Sequence, residues 1–386
     1  MSETAPAPTT ALDAKPDTAA KSPSDRVVSL DQFRGYTVLG MAFVNFLAGY
    51  AVIHPVFWHH HTYFSYADAI MPQFFFAVGF AYRLTFLKNL ERFGIGSALG
   101  RVMQRCIGLL LIGLVVHHFS GSVSSWEELR QMTPLEFLEK ACKRGPFQTL
   151  THIAVTSLWV LPVIGLGTWP RVAFALFSGG LHLGLSFWFN YKWVLTSPVG
   201  IDGGPLGFLT WTIPLLAGSF AYDWTRPQQS SSAIAKLLTW GAVCMVAAYA
   251  LSCLNLFFPP NDRSHWFLEP PFVPPAGGKG SINIWTMSQR AGSVTYLLFA
   301  AGFAMATYAV FVFFCDRLKW SWSFLATLGG NALVAYILLG MIEDLLHPYT
   351  PKDAPLWYVL GAWVIDIGLC WLFLRNLEKN GVRIRM

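Results

Sequence analysis

Between residues 45 and 68 the sequence gathers side chains that move protons and stabilise anions. Asn45 comes first, then His54, His59, His60 and His61 in HPVFWHHHTYFSYADAIM, then Asp68. An imidazole takes and releases a proton near neutral pH, a carboxylate eight or nine residues further on can hold its tautomer, and an amide can donate to a developing oxyanion. A plainer reading stands beside this one: a solvated loop in which Ser65 caps a helix and Asp68 sits at its favourable N-terminus. Three consecutive histidines cannot all converge on one ion, and no Cys or H-x-x-x-H spacing supports them, so no metal is expected. None of the six cysteines forms a CxxC, and five lie in or at the ends of apolar runs, as small buried hydrophobes do.

The elements that must carry these residues are set by composition. Of 386 residues, 54% are hydrophobic and only 12% charged, whereas a soluble domain averages about 45–50% and about 25%. With a mean hydropathy of +0.45, this composition excludes water-soluble, disordered and disulfide-stapled classes. Continuous rather than alternating apolar runs exclude a membrane β-barrel. The expectation is an all-α, polytopic bundle of about ten transmembrane helices in the lipid bilayer. Set against the about 20 mainly apolar residues that a crossing needs, ten segments qualify, the sixth being short and interrupted at Pro214: 35–53, 67–87, 103–119, 149–167, 171–189, 207–222, 234–257, 290–314, 322–342 and 356–374. Residues 1–25 read as a disordered tail and 26–386 as one membrane domain.

Most of the 27 Lys and Arg fall on the side of both termini, and residues 54–66 carry none. Both termini are therefore expected in the cytoplasm and the histidines outside. The net charge of +6 reflects loops facing anionic lipid, not nucleic acid. On the outer side, WEELRQMTPLEFLEKACKR reads as a surface amphipathic helix, PVGIDGGP as a turn, and 258–289 as a Pro- and Gly-rich lid. Ser29 and Gln32 suit a capping box opening the first span. Asn45 near mid-span, His182, Asn331 and Asp366 are the polar residues that hydrocarbon tolerates only with a role. Asn45 is open to a helix–helix hydrogen bond as well as to oxyanion donation, and Asp366 to orienting a histidine or pairing with Arg290.

The run LDQFRG, then Val44 and Asn45 in the same helix, then an outer His and YADAIMPQFFFAVG, resembles the heparan-α-glucosaminide N-acetyltransferase family. The matching positions are Asp31, Phe33, Arg34, Gly35, Val44, Asn45, Ala67, Asp68, Pro72, Phe74, Phe76 and Gly79. Looser similarity in GGPLGFLTW, INIWTMSQRAGSVTYLLFAAG and GGNALVAYIL extends it over most of the chain from residue 29. Two features depart from the family: the large luminal domain of the animal enzymes is missing, and the His-to-Asp68 spacing is one residue short. The family position falls on Trp58, so His59 is the nearest histidine and His60 the next.

The resemblance implies acyl transfer across a membrane, from cytoplasmic acetyl-CoA to an amine or hydroxyl of an extracytoplasmic sugar or glycan. It implies His59 or His60 as base, Asn45 as oxyanion donor and Asp68 as support, with Arg34, Lys88, Arg92 and Arg101 toward the CoA phosphates. Direct transfer and an acyl-histidine intermediate both remain open. A multi-pass protein of the bacterial inner membrane is expected, and a homo-oligomer is compatible with it. The competing class is a saccharide or lipid transporter, which predicts repeat symmetry and broken helices in both halves; no internal repeat is visible.

Overall fold

The computed structural model describes residues 27–118, 123–226, 230–257, 270–273 and 282–382. Among these, every regular element is helical, as expected where only a helix can satisfy its backbone groups within its own segment. α1 (Val28–Leu47) leads to α2 (Tyr66–His117), then to the short α3 (Trp126–Gln131) and α4 (Pro134–Cys142). α5 (Thr149–Ile164), α6 (Thr168–Leu185), α7 (Tyr191–Leu195), α8 (Phe208–Thr225) and α9 (Ser230–Ser252) follow. α10 (Val294–Phe311), α11 (Ser323–Gly330), α12 (Ala332–Leu346) and α13 (Leu356–Lys379) complete the bundle.

Six helical runs are long and apolar enough to cross a membrane: Tyr66–His117, Thr168–Leu195, Ser232–Phe257, Val294–Arg317, Ala332–Tyr349 and Leu356–Lys379. Their outward faces are apolar; Leu176 is 72% and Val246 68% exposed, an arrangement suited to lipid rather than water. The chain is an integral, multi-pass membrane protein. α8 lies inside this shell, packed on α2, α5, α6, α9 and α10, so it carries Thr210, Thr212 and Ser219 without exposing them to lipid.

α2 is broken at Gly94, whose φ of +76° would strain any side chain. Its two arms pack on each other: Tyr82 and Phe86 share a core cluster with Ala98, Val102 and Cys106. Arg101 donates to Asn89 across the bend at 2.7 Å. Nearer the start of α2, Gly79 meets α8, and Gly218 of α8 returns the contact. The two helices touch backbone to backbone there, with the Leu215 and Phe76 carbonyls where a Cβ would stand.

One ionic cluster ties three helices. Arg83 of α2 donates to Asp223 of α8 at 2.7 Å, and Arg171 of α6 donates to the other oxygen of the same carboxylate. Arg83 also donates to the Ile164 and Leu166 carbonyls at the end of α5, and Arg171 to Ser219. From the sequence these arginines read as flanking charges, but Arg171 is fully buried.

Other expectations are corrected. No capping box opens α1: Val27 is its N-cap with no side-chain bond. Ser29 instead donates to Asp316 at 2.8 Å and meets Tyr308, while Gln32 binds the Trp322 backbone. The segment expected as one amphipathic helix is two, α3 and α4, because Thr133 and Pro134 start a second, separately capped one. Asp366 is buried in α13 with one carboxylate oxygen unpartnered, and Arg290 lines a cavity with Arg144 and His61 instead of pairing with it. The tail 1–25 and most of the 258–289 segment lie outside the described residues; within the latter, Phe272 packs edge-on against Phe64 at 5.2 Å.

Candidate active site

The site is built on the start of α2. Ser65 is the N-cap, its Oγ accepting from the Asp68 N–H at 3.2 Å, while the Asp68 carboxylate accepts from the Ser65 N–H at 3.1 Å. This capping box satisfies two amides that a helix start leaves orphaned. Asp68 does more than cap. Its Oδ2 also accepts from Ser65 Oγ at 2.8 Å and from the His60 N–H at 3.3 Å, and its Oδ1 faces His59 Nδ1 at 3.0 Å. The Tyr296 hydroxyl, from α10, donates to the Asp68 carbonyl at 2.8 Å. The carboxylate is thus buried, hydrogen-bonded on both oxygens and fixed in direction.

That geometry sets the chemistry of His59. A proton on Nδ1 pointing at a carboxylate leaves the Nε2 lone pair free, which is the tautomer a general base needs. A third of the side chain stays accessible, 35%. Desolvation lowers the imidazole pKa, but the hydrogen bond and charge of Asp68, with the charge of Asp202, outweigh it and the net shift is upward from 6.5.

The other histidines are differently engaged. His60 donates from Nε2 to the Pro55 carbonyl at 2.7 Å and stacks on Tyr63 at 4.2 Å. His61 is pushed down to about 4 by desolvation and by Arg290, so it is neutral at pH 7. His54 accepts from the Val56 N–H.

His59 stands between two cavities. The smaller, of about 330 Å³, is lined by His59, His61, Arg144, Arg290, Gln289 and residues 199–201. A larger one of about 750 Å³ runs between α1, α2 and α12, with Thr37, Met41, Asn45, Phe74 and Tyr336 on its walls. His59, Ile201 and Gln289 line both. Asn45 is exposed on the same large cavity as His59. The α1 wall extends from Asn45 to Thr37, about 12 Å at 1.5 Å per residue and one turn short of Arg34.

His59 and Asp68 are in contact and Asn45 shares a cavity with His59, whereas the basic set does not join them. Lys88, Arg92 and Arg101 sit around the Gly94 bend, and Lys88 is about 30 Å along α2 from Asp68. Arg101 lies over the Phe93 ring at 4.2 Å, and Arg34 is on the first half of α1. Among the described residues no group of His, Cys, Asp and Glu could hold a metal ion.

Two site residues were not legible as such. Asp202 sits in a segment that reads as a turn, yet it is buried, accepts from Gln289 Nε2 at 3.0 Å, and lines the large cavity. Desolvation raises its pKa to about 7, against the opposing pull of His59 and the Gln289 hydrogen bond. Gln289 comes from the loop before α10, where nothing local marks it. Compared with known proteins, the chain matches no protein-family model and no curated protein.

Proposed function

We propose that the protein is a membrane acyltransferase, moving an acetyl or similar acyl group from cytoplasmic acyl-CoA to an amine or hydroxyl of an extracytoplasmic sugar. The observation that carries this reading is His59, oriented by Asp68 and lining both the smaller cavity and the larger one that also exposes Asn45. The acceptor enters from the histidine side, and the thioester approaches along α1 from the Arg34 end. Lys88, Arg92 and Arg101 meet the CoA phosphates as point charges and forks. His59 Nε2 removes a proton from the attacking group, and the Asn45 amide donates to the oxyanion on the thioester carbon. The mostly apolar wall keeps the local dielectric low, which strengthens both interactions.

The topology in this reading has ten crossings. The two arms of α2 cross separately, and α1, α5 and α8 join the remaining apolar helices, with α11 extending α12. Both termini and the Gly94 bend face the cytoplasm of a bacterial inner membrane, as the Lys and Arg distribution requires.

The test is sided. Sealed vesicles holding the protein in known orientation receive acetyl-CoA on the side of the Gly94 bend and an amino sugar on the histidine side. Acetylated sugar on the histidine side supports the proposal. Product formed only when both substrates share one side contradicts transfer across the bilayer.

A further inference from the structure

The large cavity has a charge pattern that the acyl-transfer reading does not use. Among the described residues its wall carries three carboxylates, Asp202, Glu343 and Asp344, and no lysine or arginine. Asp202 is 3% exposed. It is held in a left-handed backbone conformation at φ +55°, a state that costs energy and persists only where its surroundings impose it. Trp211 Nε1 donates to its carbonyl at 2.8 Å and Gln289 to one carboxylate oxygen at 3.0 Å. The two carboxylates near His59 are thus unlike: Asp68 receives four donors, whereas Asp202 receives one and opens on the cavity.

A protonated amine must lose two protons to become an amide, and one base cannot hold both. Resting on the acyltransferase reading with an amine acceptor, we infer that Asp202 is a second base of the site, taking the first proton from an acceptor that arrives as its ammonium. The Asp202 carboxylate takes the first proton, freeing the nitrogen lone pair. As the N–C bond forms on the thioester carbon, His59 Nε2 takes the second proton. The C–S bond then breaks and the leaving thiolate takes the His59 proton, while the Asp202 proton passes to water. Ammonium and thioester become amide, thiol and one released proton.

Burial supports this by bringing Asp202 to about 7, near the pH at which a base both exists and accepts. The groups that bear on it electrostatically are His59 from the α1–α2 loop, Asp68 of α2, Tyr296 of α10 and Tyr336 of α12. Glu343 and Asp344 of α12 share its cavity, and Arg144 and Arg290 line the neighbouring cavity that meets it at Ile201 and Gln289.

Asp202→Asn is the test, because Asn adopts the left-handed conformation and keeps the Gln289 bond. Acetylation of glucosamine is followed from pH 7 to pH 9 in the full-length protein. The expected loss is about 10²-fold at pH 7, shrinking as pH rises and the amine arrives already neutral. A loss constant across pH, or no loss, overturns the inference while leaving the acyltransferase reading intact. A wild-type protein that transfers no acyl group overturns that reading instead. Should the variant fail to fold, wild-type kcat decides: its acid limb approaches a slope of two with two bases, and a slope of one overturns the inference.

Discussion

Replacing Asp68 with Asn separates two roles that one carboxylate plays. Its Oδ2 accepts from the Ser65 and His60 N–H groups and from Ser65 Oγ, while Oδ1 faces His59 Nδ1 alone. An amide has one acceptor oxygen. Turned with nitrogen toward the cap, the new side chain orphans two backbone N–H groups, at about 1–3 kcal/mol each. The favoured orientation keeps oxygen on the cap and points the NH₂ at His59 Nδ1. That contact demands an unprotonated Nδ1 and therefore a proton on Nε2, and the base is lost. The expected fall in kcat is about 10²–10⁴, or about 3–5 kcal/mol of barrier at 1.36 kcal/mol per decade. Thermal stability is nearly unchanged.

Ser65→Ala is the control. It removes the cap, costs about 1 kcal/mol of stability, and leaves the His59–Asp68 contact and the rate in place. Thiol release from acetyl-CoA reads the rate, and thermal unfolding in detergent reads the fold. Wild-type turnover in Asp68→Asn, or an equal rate loss in Ser65→Ala, refutes the orienting role.

Four further outcomes follow from the geometry. Asn45→Ala lowers kcat by about 10²–10³ with acyl-CoA affinity retained; weakened affinity alone, measured by calorimetry, would show that the amide only binds. His59→Gln removes transfer and His60→Gln does not, because His60 is tied to Pro55 and Tyr63; loss in the His60 variant contradicts the assignment. The acid limb of wild-type kcat/KM for acyl-CoA lies above pH 6.5, since Asp68 and Asp202 raise His59 in the free protein and the base works unprotonated; a limb below 6.5 removes the Asp68 contact from the account. Asp223→Asn leaves two buried guanidiniums without a counter-charge and destabilises the fold by about 3–5 kcal/mol, read as a lowered unfolding temperature.

What could be read in advance was local. Ser65 and Asp68 stand three apart before an apolar run, which is enough to mark a helix start, and the capping box is there. The helical class followed from continuous apolar runs. Enclosed helices were harder to grade, because α8, surrounded by other helices, has no need of a uniformly lipid-like sequence.

The histidine cluster left His59 and His60 open, since spacing alone does not say which ring meets a carboxylate. The loop turn at Pro55–Phe57 decides it by drawing His60 toward the Pro55 carbonyl. Asp202 and Gln289 were invisible for another reason. Each lies among turn-forming residues where polarity is ordinary, and they meet only when segments 87 positions apart fold together. The same holds for Arg83, Arg171 and Asp223, whose cluster exists only in three dimensions.

The most direct test of the central claim is release of free CoA thiol by the purified protein, given acetyl-CoA with and without an amino sugar. The account predicts release that depends on the sugar and disappears in His59→Gln. No release and no CoA binding from folded protein, or release that survives His59→Gln, would contradict it.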